Sequence, residues 1–295
     1  MVLAPGPPFP TLDESAARPS PWPAGGSSPG RADGGGVVLA VAGAVGGAGA
    51  SSLAVACAVA ARDGSVVVDL AGGGGLDVLL GLEGSAGVRW PDLVAARGDV
   101  DPDLLASSLP HRRGLGVLSA DRRRPGLPDA AVVADVLRAL AVRHRTVVVD
   151  VGRGPVPAAA THVALVVPLT VPGLAGALAW RTASAQPRTT ELVVTCGPAP
   201  GRLTPDDVGA ALGVRVAAHV GRVRGGRVAV ERGDGPPVGH GTALRRAAAR
   251  VLDAARSPQG SRAPDTRVPE GWESAAWPDT RSPSDAGPQP TGTRR

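Results

Sequence analysis

The sequence predicts an α/β domain in which a mostly parallel β-sheet is covered by helices on both faces. Three observations carry this. Short, unbroken Val-rich runs recur, most clearly Ser65-Val66-Val67-Val68-Asp69 and Thr146-Val147-Val148-Val149-Asp150. Ala- and Leu-rich segments long enough for helices separate them. A strand buried on one face alternates apolar with polar residues, whereas one buried on both faces reads as continuously apolar, so these runs belong inside a sheet sandwiched by helices.

The elements follow in order. Val37–Ala42 is a short apolar, β-branched run and the first strand. A glycine-rich stretch leads to Ser51–Arg62, rich in the helix former Ala. Asp63-Gly64 is a turn signal, and Ser65–Asp69 is the second strand. Further strands are expected at Leu115–Ser119, Thr146–Asp150, His162–Pro168, Glu191–Cys196 and Val214–Val220. Helices are expected at about Pro128–Val142, Gly173–Ala185, Pro205–Leu212 and Thr242–Ala255. The last places Leu244, Ala248, Val251, Leu252 and Ala255 near one face, a stripe with few large apolar residues, suited to packing on the domain rather than to lipid insertion.

The domain is expected to span 36–256. Residues 1–35, with eight prolines, and 257–295, with seven, show neither helical nor strand periodicity and read as disordered tails. Trp22, Trp272 and Trp277 lie in them, the last two a candidate docking motif. Residues 37–61 carry no charge and are long enough to span a bilayer, but their middle is Gly-rich and weakly apolar, and no basic segment precedes them. A strand, a loop and a helix fit better than a membrane span.

Composition narrows the chemistry. Lys, Ile, Asn and Tyr are absent, and all 31 basic side chains are Arg, consistent with a very GC-rich genome. No mechanism that needs a lysine ammonium can run here. The formal net charge of +5 is mildly basic, and most arginines are expected on a solvated surface. Cys57 and Cys196 sit far apart in apolar stretches, as core residues of a reducing, cytoplasmic compartment would. The five histidines are scattered without metal-ligand spacing.

In parallel α/β sheets ligands bind outside the carboxyl ends of the strands, and three features converge there. The loop Gly46-Gly47-Ala48-Gly49-Ala50 follows the first strand and runs into a helix that opens with Ser51-Ser52. Such a loop holds phosphates because free N–H groups point outward and the helix dipole favours negative charge. Asp69 ends the second strand, and Asp150 ends a middle one. A first-turn hydroxyl such as Ser51, with Asp150 acting through water, suits a Mg²⁺ shell. The order of strand, glycine loop, Ser-Ser helix and two Asp-terminated strands is that of a P-loop NTPase-like fold.

The loop resembles the deviant Walker A motif K-G-G-x-G-K-[ST] of the MinD/ParA superfamily. Gly46, Gly47 and Gly49 stand at its glycines and Ser51 at its magnesium-ligand position. Asp150 resembles the Walker B aspartate, and Asp69 the first aspartate of the switch segment. A closer resemblance is to the actinobacterial CpaE-like group, also called septum site-determining protein (Ssd)-like. It rests on Gly46–Ser51, Val66–Leu70, Gly75–Glu83 and Arg89–Leu93, together with Leu203–Leu212 and the Arg-rich final helix, and covers 36–256. Members usually carry a receiver-like domain where this chain has the Pro-rich 1–35. The resemblance implies a MinD/ParA-type fold, ATP/ADP with Mg, a homodimer, and protein partners in the division or the pilus and secretion machinery.

The departures bear on activity. Ala50 stands at the P-loop lysine, Val45 at the signature lysine that reaches across the family's dimer, and Ala44 at the loop's first glycine, with Gly43 just before it. Ala71 stands at the second switch aspartate, which would assist water attack. Each charge-assisted hydrogen bond lost to phosphate weakens binding by roughly 1.5–3 kcal/mol, and each lost transition-state donor slows reaction about 10²-fold or more. Hydrolysis by the family's usual route is therefore not expected, and a scaffold that positions the septum or a pilus or secretion apparatus, recruited to membrane or pole by partners, is the expected role. Two rivals are a nucleotide-switched ATPase with Arg153 in the lysine's place, Arg112, Arg113 and Arg122 being further candidates, and a ParA-like non-specific DNA binder whose binding would weaken steeply with salt.

Overall fold

The computed structural model describes residues 36–61, 64–72, 75–96, 98, 100–184 and 189–257. The tails expected at 1–35 and beyond Ser257, with their three tryptophans, lie outside the described residues. β1 (Val37–Gly43) runs through the glycine loop into α1 (Ala50–Ala60), and β2 (Ser65–Asp69) follows. α2 (Leu76–Leu79), a 3-10 turn at Trp90–Leu93 and α3 (Pro102–Ser108) lead to the hairpin of β3 (His111–Arg112) and β4 (Leu115–Leu118). Then come α4 (Ala130–Arg143), β5 (Thr146–Gly152), β6 (His162–Pro168), α5 (Val171–Ser184), β7 (Thr190–Cys196), α6 (Pro205–Leu212), β8 (Val216–Val220), α7 (Gly226–Glu231) and α8 (Ala243–Arg256).

The strands form one sheet in the order β3-β4-β2-β5-β1-β6-β7-β8, parallel throughout except for the antiparallel edge strand β3. The strands and long helices expected from the sequence are present, with small shifts at their ends. β8 starts at Val216 rather than Val214, because the Val214 N–H is taken by the Gly209 carbonyl in closing α6. The uncharged stretch 37–61 folds as a strand, a loop and a helix, and among the described residues no helix is long and apolar enough to cross a membrane.

The Val-rich strands supply two cores at once. Val38, Ala40, Val66, Val68, Val147 and Val149 face a layer that includes α4, while Leu39, Val41, Val67 and Val148 face α1 and α8. This period-two parity places the site. Val148 faces α1, so Asp150 does as well, and Val67 likewise sends Asp69 to that side. α8 buries Leu244, Ala247, Ala248, Val251 and Leu252 in the α1-side core, with Arg246 and Arg250 exposed, so its apolar stripe is already covered. Cys57 is buried, and burial pushes its thiol up to about 12, which leaves it inert.

Candidate functional site: a phosphate loop without a cation

The glycine loop has the backbone geometry expected of a phosphate cradle. Gly47 (φ 73°) and Gly49 (φ 93°) adopt the left-handed conformation that L side chains rarely take. A Cβ at Gly46, Gly47 or Gly49 would meet nothing within 4 Å, so this backbone faces open space. Gly49 is the N-cap of α1, and no side chain caps the helix, which leaves first-turn N–H groups available to an anion. The loop is fixed from behind by three bonds: the Ala44 N–H to the Val166 carbonyl (2.9 Å), the Ala48 N–H to the Val45 carbonyl (3.3 Å) and the Cys196 thiol to the Ala48 carbonyl (3.2 Å).

The departing positions are seated against the fold. Ala50 is buried, and Ala44 is fully buried. Val45 packs on α5 so closely that a Cβ at Gly176 would lie 2.7 Å from its Cγ1 and 2.5 Å from the Ala44 carbonyl oxygen. Ala71 stands beside Gly152, where an added Cβ would come within 2.9 Å of the Ala71 Cβ. No basic residue occurs from Val37 to Ala61.

The two carboxylates meet where parity sends them. Asp69 and Asp150 are register partners in the β2–β5 pair, and both are almost wholly buried. Asp150 accepts the Gly152 N–H (3.0 Å) and the Ser51 hydroxyl, so loop helix and strand end are joined directly. Asp69 accepts the Ala71 N–H (2.9 Å) and the Leu76 N–H (3.1 Å), bridging the turn between β2 and α2. Burial raises both carboxyls above the usual range. The Ser51 and Gly152 donors oppose this at Asp150. At Asp69 the Leu76 and Ala71 N–H groups oppose it, while the Asp150 and Asp77 charges add to it. Ser51 and Asp150 offer oxygens suited to Mg²⁺, and among the described residues no group of three His, Cys, Asp or Glu could hold a metal.

The motif Arg89–Leu93, carried in the sequence only by resemblance, has a physical role that residue reading missed. Trp90 is fully buried and donates from Nε1 to the Asp69 carbonyl (2.6 Å). Arg89, also buried, donates from Nη2 to the carbonyls of Leu82 (2.9 Å) and Ser85 (3.3 Å). Asp92 accepts the Arg89 N–H and pairs with Arg124 (2.8 Å). The segment braces the strand that ends in Asp69. Asp77, in the first turn of α2, was missed as well; it is buried, and its Oδ1 has no hydrogen-bond partner among the described residues.

Of the arginines considered for the lysine's role, Arg153 is exposed at the carboxyl end of β5, one residue past Gly152. Arg122 is exposed in the turn after β4. Arg112 and Arg113 are excluded by topology, because the β3–β4 turn lies at the amino end of the parallel strands, whereas the loop lies at their carboxyl end.

No protein-family model matches the chain. Uncharacterized proteins MT3760 and Rv3660c of two Mycobacterium tuberculosis strains are each 38% identical to it over 192 residues, covering 63% of this chain and 54% of theirs. The chain thus spans about half the length of the curated relatives it matches. Its structure is similar to a ParA family ATPase from Chlorobium tepidum TLS, with a TM-score of 0.61, 17% identity and coverage of 75% of this chain and 98% of that one. It is also similar to the MinC:MinD cell division protein complex of Aquifex aeolicus, with a TM-score of 0.58, 18% identity and coverage of 74% and 96%. For the cell division ATPase MinD of Pyrococcus furiosus the TM-score is 0.55, with 18% identity and coverage of 74% and 99%. The chain has the MinD/ParA-type P-loop NTPase fold.

Proposed function

We propose that this protein is a MinD/ParA-like spatial regulator that works as a scaffold, helping to place the division septum or a pilus or secretion apparatus with little or no ATP turnover. The observation that carries this is an intact cradle whose chemical positions hold Ala50, Val45 and Ala71. Backbone N–H groups are free to orient a phosphate, but nothing on the loop neutralises it, and the loop helix is joined through Ser51 to the buried carboxyl of Asp150. Fold similarity to MinD, a cell division protein in its solved structures, supports the positioning role. ATP or ADP, where bound, would lie against Gly46–Ser52, with Mg²⁺ on Ser51 and Asp150. The expected partners are proteins of the machinery being placed and a second copy of the chain, with recruitment from the cytoplasm to membrane or pole through them.

Calorimetric titration with ATP, with and without Mg²⁺, alongside a phosphate-release assay, tests this reading. Weak or absent binding and no turnover are expected, and turnover at the rate of an active ParA would falsify it. A fluorescent fusion in live cells then separates septal from polar placement. The exposed position of Arg153 beside Gly152 favours one second reading, a nucleotide switch using that guanidinium. It requires Mg-dependent ATP binding that Arg153→Ala abolishes.

A further inference from the structure

At the other end of the strands from the glycine loop lies a cleft of about 640 Å³. It is bordered by the starts of β2 and β4, the chain entering β5, the second half of α1 and the segment leading into α8. Val55, Ala58 and Leu80 give it an apolar wall. The β3–β4 hairpin brings His111, Arg112 and Arg113; the end of α4 brings Arg143 and His144; the approach to α8 brings His240 and Arg245. Four arginines and three of the chain's five histidines thus converge on a cleft where Asp234 is the one acidic lining residue among those described.

The charge is largely uncompensated. Arg143 pairs with Asp103 (2.9 Å), and Arg112 donates to the Gly233 carbonyl (3.2 Å), which orients it without neutralising it. The Arg113 and Arg245 guanidiniums have neither a carboxylate nor a carbonyl partner among the described residues. Arg113 also carries a backbone cost. It lies at φ 50° in a two-residue turn with Gly114 (φ 82°), where Asn or Gly is the ordinary occupant. A strained arginine at the rim of a basic cleft points to a role beyond the turn. His144 has both ring nitrogens shut off from solvent without a well-aligned partner.

We propose that this cleft is a second binding site, separate from the glycine loop, for a small dianionic phosphate ester. The volume falls within the roughly 300–1,000 Å³ of small-molecule sites. Guanidinium forks match phosphate oxygens, and the apolar wall suits the organic part of an ester. The charges line a concavity rather than an extended stripe, which favours a small ligand over a nucleic-acid backbone. A free phosphorylated molecule and a lipid headgroup bearing a phosphomonoester share this chemistry. The inference does not depend on whether the loop holds nucleotide.

The test is a calorimetric titration of the full chain with pyrophosphate at low salt. One saturable site is expected, and Arg113→Asn and Arg245→Gln each weaken it roughly tenfold. Because Asn tolerates the left-handed conformation, Arg113→Asn should raise Tm while it weakens binding, which a purely structural arginine would not do. Flotation with phosphatidylcholine vesicles containing phosphatidic acid identifies the source. Capture that pyrophosphate competes away and Arg113→Asn abolishes assigns a lipid headgroup; no capture, with pyrophosphate bound, assigns a free molecule. The proposal is overturned by no saturable binding up to about 10 mM pyrophosphate, or by both arginine variants binding like the unaltered chain.

Discussion

The two ends of the sheet differ in how they treat charge. At the carboxyl end the glycine loop presents backbone N–H groups, carries no basic residue, and stands over the buried Asp69 and Asp150. At the amino end, four arginines and three histidines gather around one cleft. The separation is about the length of a strand, on the order of 15 Å for five residues. A P-loop normally joins two functions, orienting a phosphate with backbone dipoles and neutralising it with a lysine. Here the loop has the backbone geometry for the first and no basic residue for the second. Composition alone does not account for that, since arginine was available to the chain 31 times and position 50 holds alanine.

The severest break of the carboxyl end is Trp90→Ala. It empties a fully buried site and leaves the Asp69 carbonyl without its donor. The expected loss is about 3–5 kcal/mol in urea denaturation. The comparison holds if pyrophosphate binding survives in whatever fraction of Trp90→Ala remains folded, and it weakens if both ends fail together.

Ala50→Lys sharpens the contrast from the other side by placing a cation on the loop. One charge-assisted bond to phosphate, worth roughly 1.5–3 kcal/mol, should tighten Mg-ATP at least tenfold by calorimetry. On the proposed function turnover should stay low, because Val45 and Ala71 stand where the resemblance to the MinD/ParA motif puts the reacting groups. An unchanged affinity would mean that the loop lacks more than its cation.

Asp150→Asn removes a buried charge. The folded-state pKa of Asp150 lies above its unfolded value, so ionising this carboxyl costs more in the folded chain than in the unfolded one. That penalty is present above the raised pKa and fades as pH falls through it towards the ordinary value of 3.8. Asp150→Asn should therefore be more stable than the unaltered chain at pH 7, on the order of 1 kcal/mol, with the difference shrinking on acidification. Thermal denaturation across pH measures it, and a difference that grows on acidification would contradict the argument.

Much of the carboxyl end was legible in the sequence, because its cause is local. Continuous valines in Ser65–Asp69 and Thr146–Asp150 imply doubly covered strands, and period-two parity then sends both aspartates towards the loop helix. The amino end was not legible. Arg113, Arg143, His240 and Arg245 are distant in sequence and meet only because β4 pairs with β2 at one side of the sheet and α8 packs back on α1. Two residues of β3 and four of α2 are too short to show a period. The signal for α3 was present but unread: Asp101 precedes Pro102 and caps the N–H groups of Asp103 and Leu104. The brace at Trp90 depends on a contact 21 residues away, which no local pattern encodes.

The smallest expected effect is a pH dependence of opposite sign at the amino end. Burial lowers the His144 pKa below 6.5, a backbone hydrogen bond at Gly64 opposes this, and charge repulsion from Arg143 and His111 adds to it. Above 6.5 His144 is neutral whether the chain is folded or not and contributes nothing. As pH falls below 6.5 the unfolded chain takes up a proton that the folded site resists, so stability is lost until the folded pKa is reached. The carboxylates gain stability on acidification where this histidine loses it. His144→Gln should remove the loss, below ~1 kcal/mol, between pH 6.5 and the lowered value. An anion in the cleft would favour the imidazolium, so added pyrophosphate should shrink the same loss in the unaltered chain. A loss of equal size in His144→Gln would place its origin elsewhere in the cleft.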